Sequence, residues 1–153
     1  MRKIAYIVIL GLLFFAPLER ADMKNLLPIE AVGVFLENDK VVLKIDQDRS
    51  GIGENVARAL EDLKKSTPAV VYLDTAAYLL ISEEALPYLE ELRSYLRSSV
   101  EVCVCDPREN IEQIAQYLSV HGGLTKLRDF DTNNYQKRII KKDKFVLDKA
   151  GDV

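Results

Sequence analysis

The sequence of 153 residues predicts an α/β (α+β) fold, with a mixed β-sheet of about five strands and about three helices packed on it. Short apolar or alternating runs, typical of strands, are interleaved with runs that have the helical spacing of apolar residues. Turn and capping residues separate these runs. The predicted order is strand, strand, helix, strand, helix, strand, helix. An apolar fraction of 48% is ordinary for a globular protein and too high for a disordered one.

The first two strands are predicted to form a hairpin. Residues 25–38 contain a β-rich run in which both faces carry apolar side chains, so both faces should be at least partly buried. Residues 40–48 alternate with period two, as a half-buried strand does. Its apolar face is formed by Val41, Leu43 and Ile45. Asn38 and Asp39 between the two runs are typical turn residues.

A loop and the first helix follow the hairpin. We expect residues 46–53, DQDRSGIG, to form the loop, with two glycines that let the chain turn sharply into a helix whose first turn contains Glu54. The helix has apolar residues at positions i, i+3, i+4 and i+7, namely Val56, Ala59, Leu60 and Leu63. Pro68 lies beyond its end.

Two apolar runs and a second helix come next. Residues 69–74, AVVYLD, are predicted to be a strand covered on both faces, and residues 78–82, YLLIS, a second short strand. Glu83 and Glu84 then favour a helix N-terminus, with Pro87 tolerated in the first turn. The apolar stripe of this helix is formed by Leu86, Leu89, Leu92, Tyr95 and Leu96.

The third helix is predicted after one more strand, residues 100–106, VEVCVCD. Asp106 is its expected cap, with Pro107 at the first helical position and Glu109 three residues after the cap. The helix should bury Ile111, Ile114, Ala115 and Leu118, and stop at the glycines that follow His121. The tail, residues 132–153, is either a late strand or a loose, charged extension.

The N-terminus, residues 1–21, is predicted to be a signal peptide or a signal anchor. Two basic residues precede an apolar run, residues 4–16, which fits the core of a secretory signal and is short for a membrane span. Pro17 and Glu19 make a poor cleavage site, so both cleavage and uncleaved anchoring remain open. Either outcome places residues 22–131, the predicted folded domain, outside the cytoplasm, secreted if the leader is cleaved.

The charge balance argues against nucleic acid as a partner. The formal net charge is −3, and residues 1–21 contain three basic side chains and one acidic side chain. Without them, 18 basic and 23 acidic side chains remain, a net charge of −5. Nucleic-acid binding normally requires a basic face. The basic tail segment KRIIKKDK is typical of a strand edge protected by lysines, or of a contact with anionic lipid or a partner.

One metal motif starts in the loop after the hairpin but is incomplete. Asp46, Asp48 and Ser50 match the first, third and fifth positions of a calcium loop, and Gly51 matches the sixth. The twelfth position, normally a bidentate Glu, is Ala57. The three residues are therefore weak metal candidates, and we expect a turn. The same glycines lack the Lys-Ser/Thr of a phosphate-binding loop.

No set of residues in the sequence predicts catalysis, and no cofactor is expected. Cys103 and Cys105 should lie on the same face of a strand as buried thiols, with a disulfide as the alternative. His121 is the only histidine, and its place at a helix end suits an imidazolium that faces the negative end of the helix dipole. The carboxylates of the second helix, Glu83, Glu84, Glu90 and Glu91, are expected to form a solvated face.

Three segments carry a resemblance to a known family: LLPIEAVGV, SGIGENVARALEDL and YLLISEEALPYLEELRSYL. Together they resemble the N-terminal domain of the Ger(x)C family, the C subunits of spore germinant receptors in endospore-forming bacteria. The resemblance covers about residues 20–130. The chain departs from the family in lacking a lipidated cysteine, in lacking the later domains, and in having Asp74 or its neighbours where the family often has a histidine.

The resemblance implies a non-enzymatic, membrane-associated protein that acts by protein–protein contact in sporulation or spore germination. The implied partners are proteins, including membrane receptor subunits, and the implied location is the outer side of a membrane such as the spore inner membrane. The alternative is an exported module that binds a small ligand or calcium through Asp46, Asp48 and Ser50.

Overall fold

The computed structural model describes residues 26–108, 110–141 and 144–149, with side chains for residues 27–108 and 110–135. Residues 1–21, the predicted leader, lie outside this part. The strands are β1 (Leu26–Leu27), β2 (Ala31–Glu37), β3 (Lys40–Ile45), β4 (Arg49–Gly53), β5 (Val70–Val71), β6 (Tyr78–Ile81), β7 (Glu101–Val104), β8 (Thr125–Lys126), β9 (Gln136–Lys141) and β10 (Lys144–Lys149). The α-helices are α1 (Val56–Ser66), α2 (Leu89–Leu92) and α3 (Ile111–His121).

The main sheet is mixed and has the strand order β10-β9-β7-β6-β2-β3-β4, with β8 paired antiparallel to β7. Its centre is parallel, because β6 pairs parallel with both β2 and β7. The β2–β3–β4 side and the β9–β10 pair are antiparallel. A separate small sheet pairs β1 with β5 in parallel. The predicted fold class, a mixed sheet with three helices, is confirmed.

Side chains fill both faces of the sheet. The first face is covered by α1 and α2, and its core includes Val32, Leu43, Leu63, Leu79, Leu92 and Val102. The second face is covered by α3, and its core is formed by Ala31, Leu80, Cys103, Cys105, Ile111, Ile114, Ala115 and Leu118. Strand β2 therefore contributes to both layers, as the apolar residues on both of its faces predict. The four buried residues expected in α1 and the four expected in α3 are confirmed.

The hairpin of β2 and β3 turns at Asn38 and Asp39, as predicted. Their φ angles are 51° and 61°, and Glu37 pairs directly with Lys40. A two-residue loop with both central residues at positive φ matches the right-handed twist of the flanking strands. Asn and Asp tolerate this conformation better than most residues with a side chain, so the turn residues set the register of the hairpin.

The predicted loop over residues 46–53 is wrong for its second half. The chain turns at residues 46–48 and then forms β4, which pairs with β3. The glycines of β4 do not bend the chain into the helix; they let α1 lie directly on the strand. A Cβ at Gly51 would stand 2.2 Å from the carbonyl oxygen of Ala59, and a Cβ at Gly53 would stand 2.3 Å from the amide nitrogen of the same residue.

The first helix also begins later than expected. It starts at Val56, and the side chain of Asn55 accepts a hydrogen bond from the amide of Arg58. Glu54 lies outside the helix, so its carboxylate is not in the first turn. Asn is among the strongest N-cap residues, and this explains where the helix begins.

The strand expected over residues 69–74 is much shorter than predicted and lies outside the main sheet. Only Val70 and Val71 form a strand, at the small sheet, and a 3-10 helix follows at Leu73–Thr75. The side chains of Val70 and Tyr72 are about half exposed. The central strand is instead β6, the shorter of the two apolar runs. Apolar composition alone cannot tell which of two neighbouring runs enters the sheet.

The second helix is much shorter than expected. Residues Glu83–Tyr88 form a 3-10 helix that contains Pro87, and only Leu89–Leu92 are α-helical. Proline has no amide hydrogen and its ring crowds the preceding turn, which is consistent with the tighter helix around it. The expected stripe still packs inward: Leu89, Leu92 and Leu96 are buried, and Leu86 and Tyr95 are partly buried.

The third helix starts at Ile111 with Asn110 as its cap, and not at Asp106. Asp106 instead accepts a hydrogen bond from the amide of Arg108, two residues on. Glu109 lies outside the described residues. The helix ends as predicted, because Gly122 and Gly123 adopt positive φ angles.

The tail contains two strands, β9 and β10, which form an antiparallel hairpin. The pairing of Lys137 with Val104 places β9 alongside β7, parallel to it. The backbone of the described tail therefore forms strands, as in the first of the two predicted alternatives, and the sheet continues past residue 131.

Candidate functional site

A crevice opens at the carboxyl ends of β6 and β7. The chain leaves β6 toward the 3-10 helix and α2 on the first face of the sheet, and leaves β7 toward α3 on the second face. Neighbouring parallel strands whose connections pass to opposite faces leave a gap between them, and this is where open α/β sheets bind ligands. The gap here is a cavity of about 360 Å³, lined by Ser82, Glu83, Glu84, Cys105, Asp106 and Arg108.

Arg108 ties the crevice to the neighbouring strand. Its guanidinium donates hydrogen bonds to Asp106 at 3.1 Å, to Glu84 at 3.3 Å and to the carbonyl oxygen of Leu36, at the end of β2, at 2.9 Å. It also lies over the ring of Phe35, 5.4 Å from the centroid. The hydrogen bond to Asp106 is the main cause that raises the pKa of Arg108. Arg108 is therefore a permanent cation whose donors are largely occupied.

Ser82 supplies a buried hydroxyl at the crevice. Its backbone amide continues the sheet by donating to Val34, and its side chain is only 5% exposed. Leu80 packs on the second face and Ile81 on the first, so strand alternation directs Ser82 to the second face, beside Cys105. The Oγ of Ser82 has no hydrogen-bond partner among the described residues. A buried, unsatisfied hydroxyl typically costs about 1–3 kcal/mol.

Glu83 is held at the crevice by a tyrosine from the segment before β9. The hydroxyl of Tyr135 donates to Oε1 of Glu83 at 2.9 Å, and its ring stacks on Phe130 with centroids 6.1 Å apart. Burial, and then this hydrogen bond to a carboxylate, raise the pKa of Tyr135.

Glu83, Glu84 and Glu90 are exposed, as the predicted solvated face requires. Glu91 departs from that prediction, because it is partly buried and accepts a hydrogen bond from the amide of Ala57.

A second concave surface lies at the opposite end of β6. It is a groove of about 530 Å³ lined by residues of α1, by the segment that contains β5, and by Ser94 and Tyr95. Val70 and Tyr72 expose about half of their surface there, 50% and 46%. Among the described residues, β5 pairs only with β1. The groove thus combines exposed apolar side chains with a short strand that has one partner.

The predicted calcium ligands do not converge on a common point. Oδ2 of Asp46 accepts a hydrogen bond from the amide of Glu30 at 2.7 Å, and Asp48 pairs with Lys44 at 3.0 Å. Ser50 lies in β4, paired with Lys44. Within residues 26–108 and 110–135, no group of three or more His, Cys, Asp or Glu side chains is placed to hold a metal ion. These carboxylates fix the start of β2 and the turn before β4.

The cysteines and the histidine lie apart from one another. Cys103 and Cys105 are buried thiols on the second face of the sheet, on the same side of β7 as predicted. His121 lies at the exposed end of α3, where its ring stacks on Tyr117 and its Nδ1 is 3.0 Å from the carbonyl oxygen of that residue. This contact fits the expected helix-end role.

Comparison with known proteins identified no relative of this chain. A scan against protein-family models, a search of curated proteins and a search of solved structures each found no match to this chain. In the described part of the chain, no helix has the length and apolar character needed to cross a bilayer.

Proposed function

We propose that the chain is a non-enzymatic, membrane-associated extracytoplasmic protein that acts by protein–protein contact in sporulation or spore germination, similar to the N-terminal domain of the Ger(x)C family. One observation carries the contact part of this proposal: Val70 and Tyr72 are exposed in the same groove. Exposed apolar groups gathered in one concave surface are typical of sites that bind other proteins.

The three segments behind the resemblance form one body, which supports the proposal. The first segment contributes β1 and β2, the second β4 and α1, and the third β6 and α2. Strand β2 of the first segment pairs with β6 of the third, and Glu91 of the third segment binds the start of α1 in the second. The resemblance therefore falls on residues that contact one another.

The position of the groove suits a partner that is anchored in the same membrane as this chain. Strand β1 directly follows residues 1–25, which contain the predicted leader, and β1 pairs with the strand that carries Val70. We infer that the occupant is an extended apolar segment of a second membrane protein. Anchoring both proteins in one membrane raises their effective concentration, so a small groove is sufficient.

The test follows the full-length protein, tagged at its C-terminus, through growth and sporulation of its host. A photo-crosslinking residue at position 70 should capture one membrane protein in the developing spore, and Tyr72→Glu should abolish this product. The same crosslinker at Val120, which is 78% exposed on α3, and the variant Val120→Glu are matched controls. Release into the medium from growing cells, or equal products from positions 70 and 120, would refute the proposal.

A second candidate function is an exported module that binds a small ligand, and the crevice at β6 and β7 favours it. In this candidate function the ligand binds in the crevice, and not at Asp46, Asp48 and Ser50 as the sequence predicts. Calcium binding at those residues stays a prediction that a calcium titration of thermal stability would check.

A further inference from the structure

We propose that the occupant of the groove is a second copy of this chain, which adds its own β5 antiparallel to the outer edge of β5. This inference rests on the proposed function and names its partner, because the extended apolar segment of a second membrane protein is then residues 69–72 of an identical chain. The pair joins the two small sheets into one, with the order β1-β5-β5-β1. A two-fold axis relates the copies, so every contact of the interface occurs twice.

The groove runs along the edge of β5 that faces away from β1. Its lining includes the consecutive residues 69–74, and none of the described residues that line it belongs to β1. The backbone stays extended at Tyr72, with a φ of −114° and a ψ of 99°. In the described part of the chain, no hydrogen bond other than those of the β1 ladder reaches the backbone of residues 69–71. An extended segment with one unpaired edge can accept a further strand.

Strand β4 shows how this fold protects another edge. Alternate residues, counted from the two-residue turn between β2 and β3, place the amide of Ile52 on the outer edge of β4, away from β3. Oδ2 of Asp62, in α1, accepts a hydrogen bond from this amide at 3.0 Å. A side chain that occupies an edge donor hinders strand addition. Strand β5 lacks such a side chain among the described residues, so its outer edge is available to a partner.

The alternation of exposed and buried residues selects the register of the pair. Val70 and Tyr72 expose 50% and 46% of their surface, whereas Val71 between them is 5% exposed. Residues directly opposite one another in an antiparallel pair lie on the same face. A two-fold axis at Val71 therefore sets Val70 of one copy opposite Tyr72 of the other, a favourable pair of a β-branched and an aromatic residue. A shift by one residue would set exposed side chains opposite buried ones.

The two ends of the groove carry opposite charges. Lys64 is in the last turn of α1, which leads directly into the wall at residue 69, and Asp74 ends that wall. Neither side chain belongs to an ion pair among the described residues. Antiparallel pairing brings the start of one wall beside the end of the other. Lys64 of each copy then faces Asp74 of the other, and this complementarity favours a second copy over an unrelated apolar strand.

The contact is small, because a groove of about 530 Å³ accommodates only a short strand. Interfaces that bury less than about 1,000 Å² are weak or transient. In the proposed function, residues 1–21 anchor both copies in one membrane, which raises their effective concentration. We therefore expect the pair to form in the membrane and to dissociate when the chain is diluted in detergent.

The experiment uses host cells that make two forms of the full-length chain, with different C-terminal tags and the photo-crosslinking residue at position 70. We expect a product with the mass of two chains that carries both tags, in which position 70 is joined to the region of Tyr72 in the other copy. A product that contains a different protein would overturn this inference and leave the proposed protein contact standing. The absence of any product from position 70 would overturn both.

Charge reversal tests the two-fold geometry. Lys64→Asp and Asp74→Lys should each lower the yield of the two-chain product about tenfold, because each sets like charges opposite one another twice. Cells that make one copy of each variant should recover the product, because both contacts then join opposite charges. The matched control is Lys65→Asp, since Lys65 pairs with Glu61 on the surface of α1 and does not line the groove. An unchanged yield in both single variants, an equal loss in the control, or no recovery in the mixed cells would overturn the inference.

Discussion

The carboxylate of Glu91 accepts a hydrogen bond of 2.9 Å from the backbone amide of Ala57, in the first turn of α1. Its other oxygen lies 3.4 Å from the amide of Val56. The first turn of α1 contains no acidic residue of its own. A carboxylate that is distant in sequence therefore supplies the negative charge that a helix N-terminus favours, and it joins α2 to α1.

Replacing this carboxylate should weaken the fold. We expect Glu91→Gln to lower the free energy of unfolding by about 1 kcal/mol, because the charge at the helix N-terminus is lost. Urea denaturation measures the change. The matched control is Glu90→Gln, since Glu90 is exposed and forms a surface ion pair with Arg93. Equal effects of the two variants would contradict the capping role.

The glycines of β4 should tolerate no side chain. We expect Gly51→Ala to destabilise the protein by about 3 kcal/mol or more, because the new Cβ would meet backbone atoms of α1. Gly33→Ala is the control. There the new Cβ would meet side-chain atoms and not backbone, namely the terminal methyl group of Ile111 and, at 3.0 Å, the Cβ of Pro107, so a smaller loss is expected. Thermal unfolding of both variants gives the comparison, and a milder effect at Gly51 would contradict the packing.

Removing the orphaned hydroxyl should not harm the unliganded fold. We expect Ser82→Ala to leave the free energy of unfolding unchanged or to raise it by about 1 kcal/mol, since the unsatisfied group disappears. Ser66→Ala should instead lose stability, because the hydroxyl of Ser66 donates to the carbonyl oxygen of Leu63. Chemical denaturation of both variants measures these changes in the free energy of unfolding. A large loss in Ser82→Ala would mean that the hydroxyl has a structural partner.

Alkaline pH should weaken the fold through Tyr78. Burial, with the charges of Glu101 and Glu30 adding to it, raises the pKa of Tyr78. The folded protein then keeps a proton that the unfolded chain releases, so this stabilisation is complete below the unfolded pKa of about 10 and is lost as pH rises through the folded value. Tyr78→Phe should flatten the fall in stability, whereas the exposed Tyr72→Phe should not. Thermal unfolding at a series of alkaline pH values tests both.

Features that depend on neighbouring residues can be predicted from the sequence. The turn at Asn38 and Asp39, the apolar stripe of α1 and the end of α3 at two glycines all follow from residues close together in the sequence. Strand β4 could not be predicted in this way. Its glycines look like loop residues, and only the helix that packs on them explains why a strand needs them.

The crevice was missed for a similar reason. It exists because the chain leaves β6 and β7 toward opposite faces, and no stretch of either segment encodes that choice. The sequence places Ser82 at the end of a short strand and gives no direct sign of a crevice there, and the role of Glu91 depends on a contact across 34 residues. The one available signal was the cluster of acidic residues directly after a short apolar strand, which is where ligand-binding loops in α/β sheets lie.

Strand β2 lies between two partners of very different sequence distance, and this bears on the order of folding. Strand β3 is close in sequence, because a two-residue turn joins it to β2. Strand β6 is distant in sequence, because its pairing with β2 brings Tyr78 beside Ala31. Local pairings form early and distant ones late, so we expect residues 31–66 to gain protection from hydrogen exchange first. Until β6 pairs with β2, one edge of this apolar strand has unpaired backbone groups, and strands of other chains can pair with them. The same place inside the sheet that buries five consecutive residues of β2 would then make this strand the point where self-association during refolding begins.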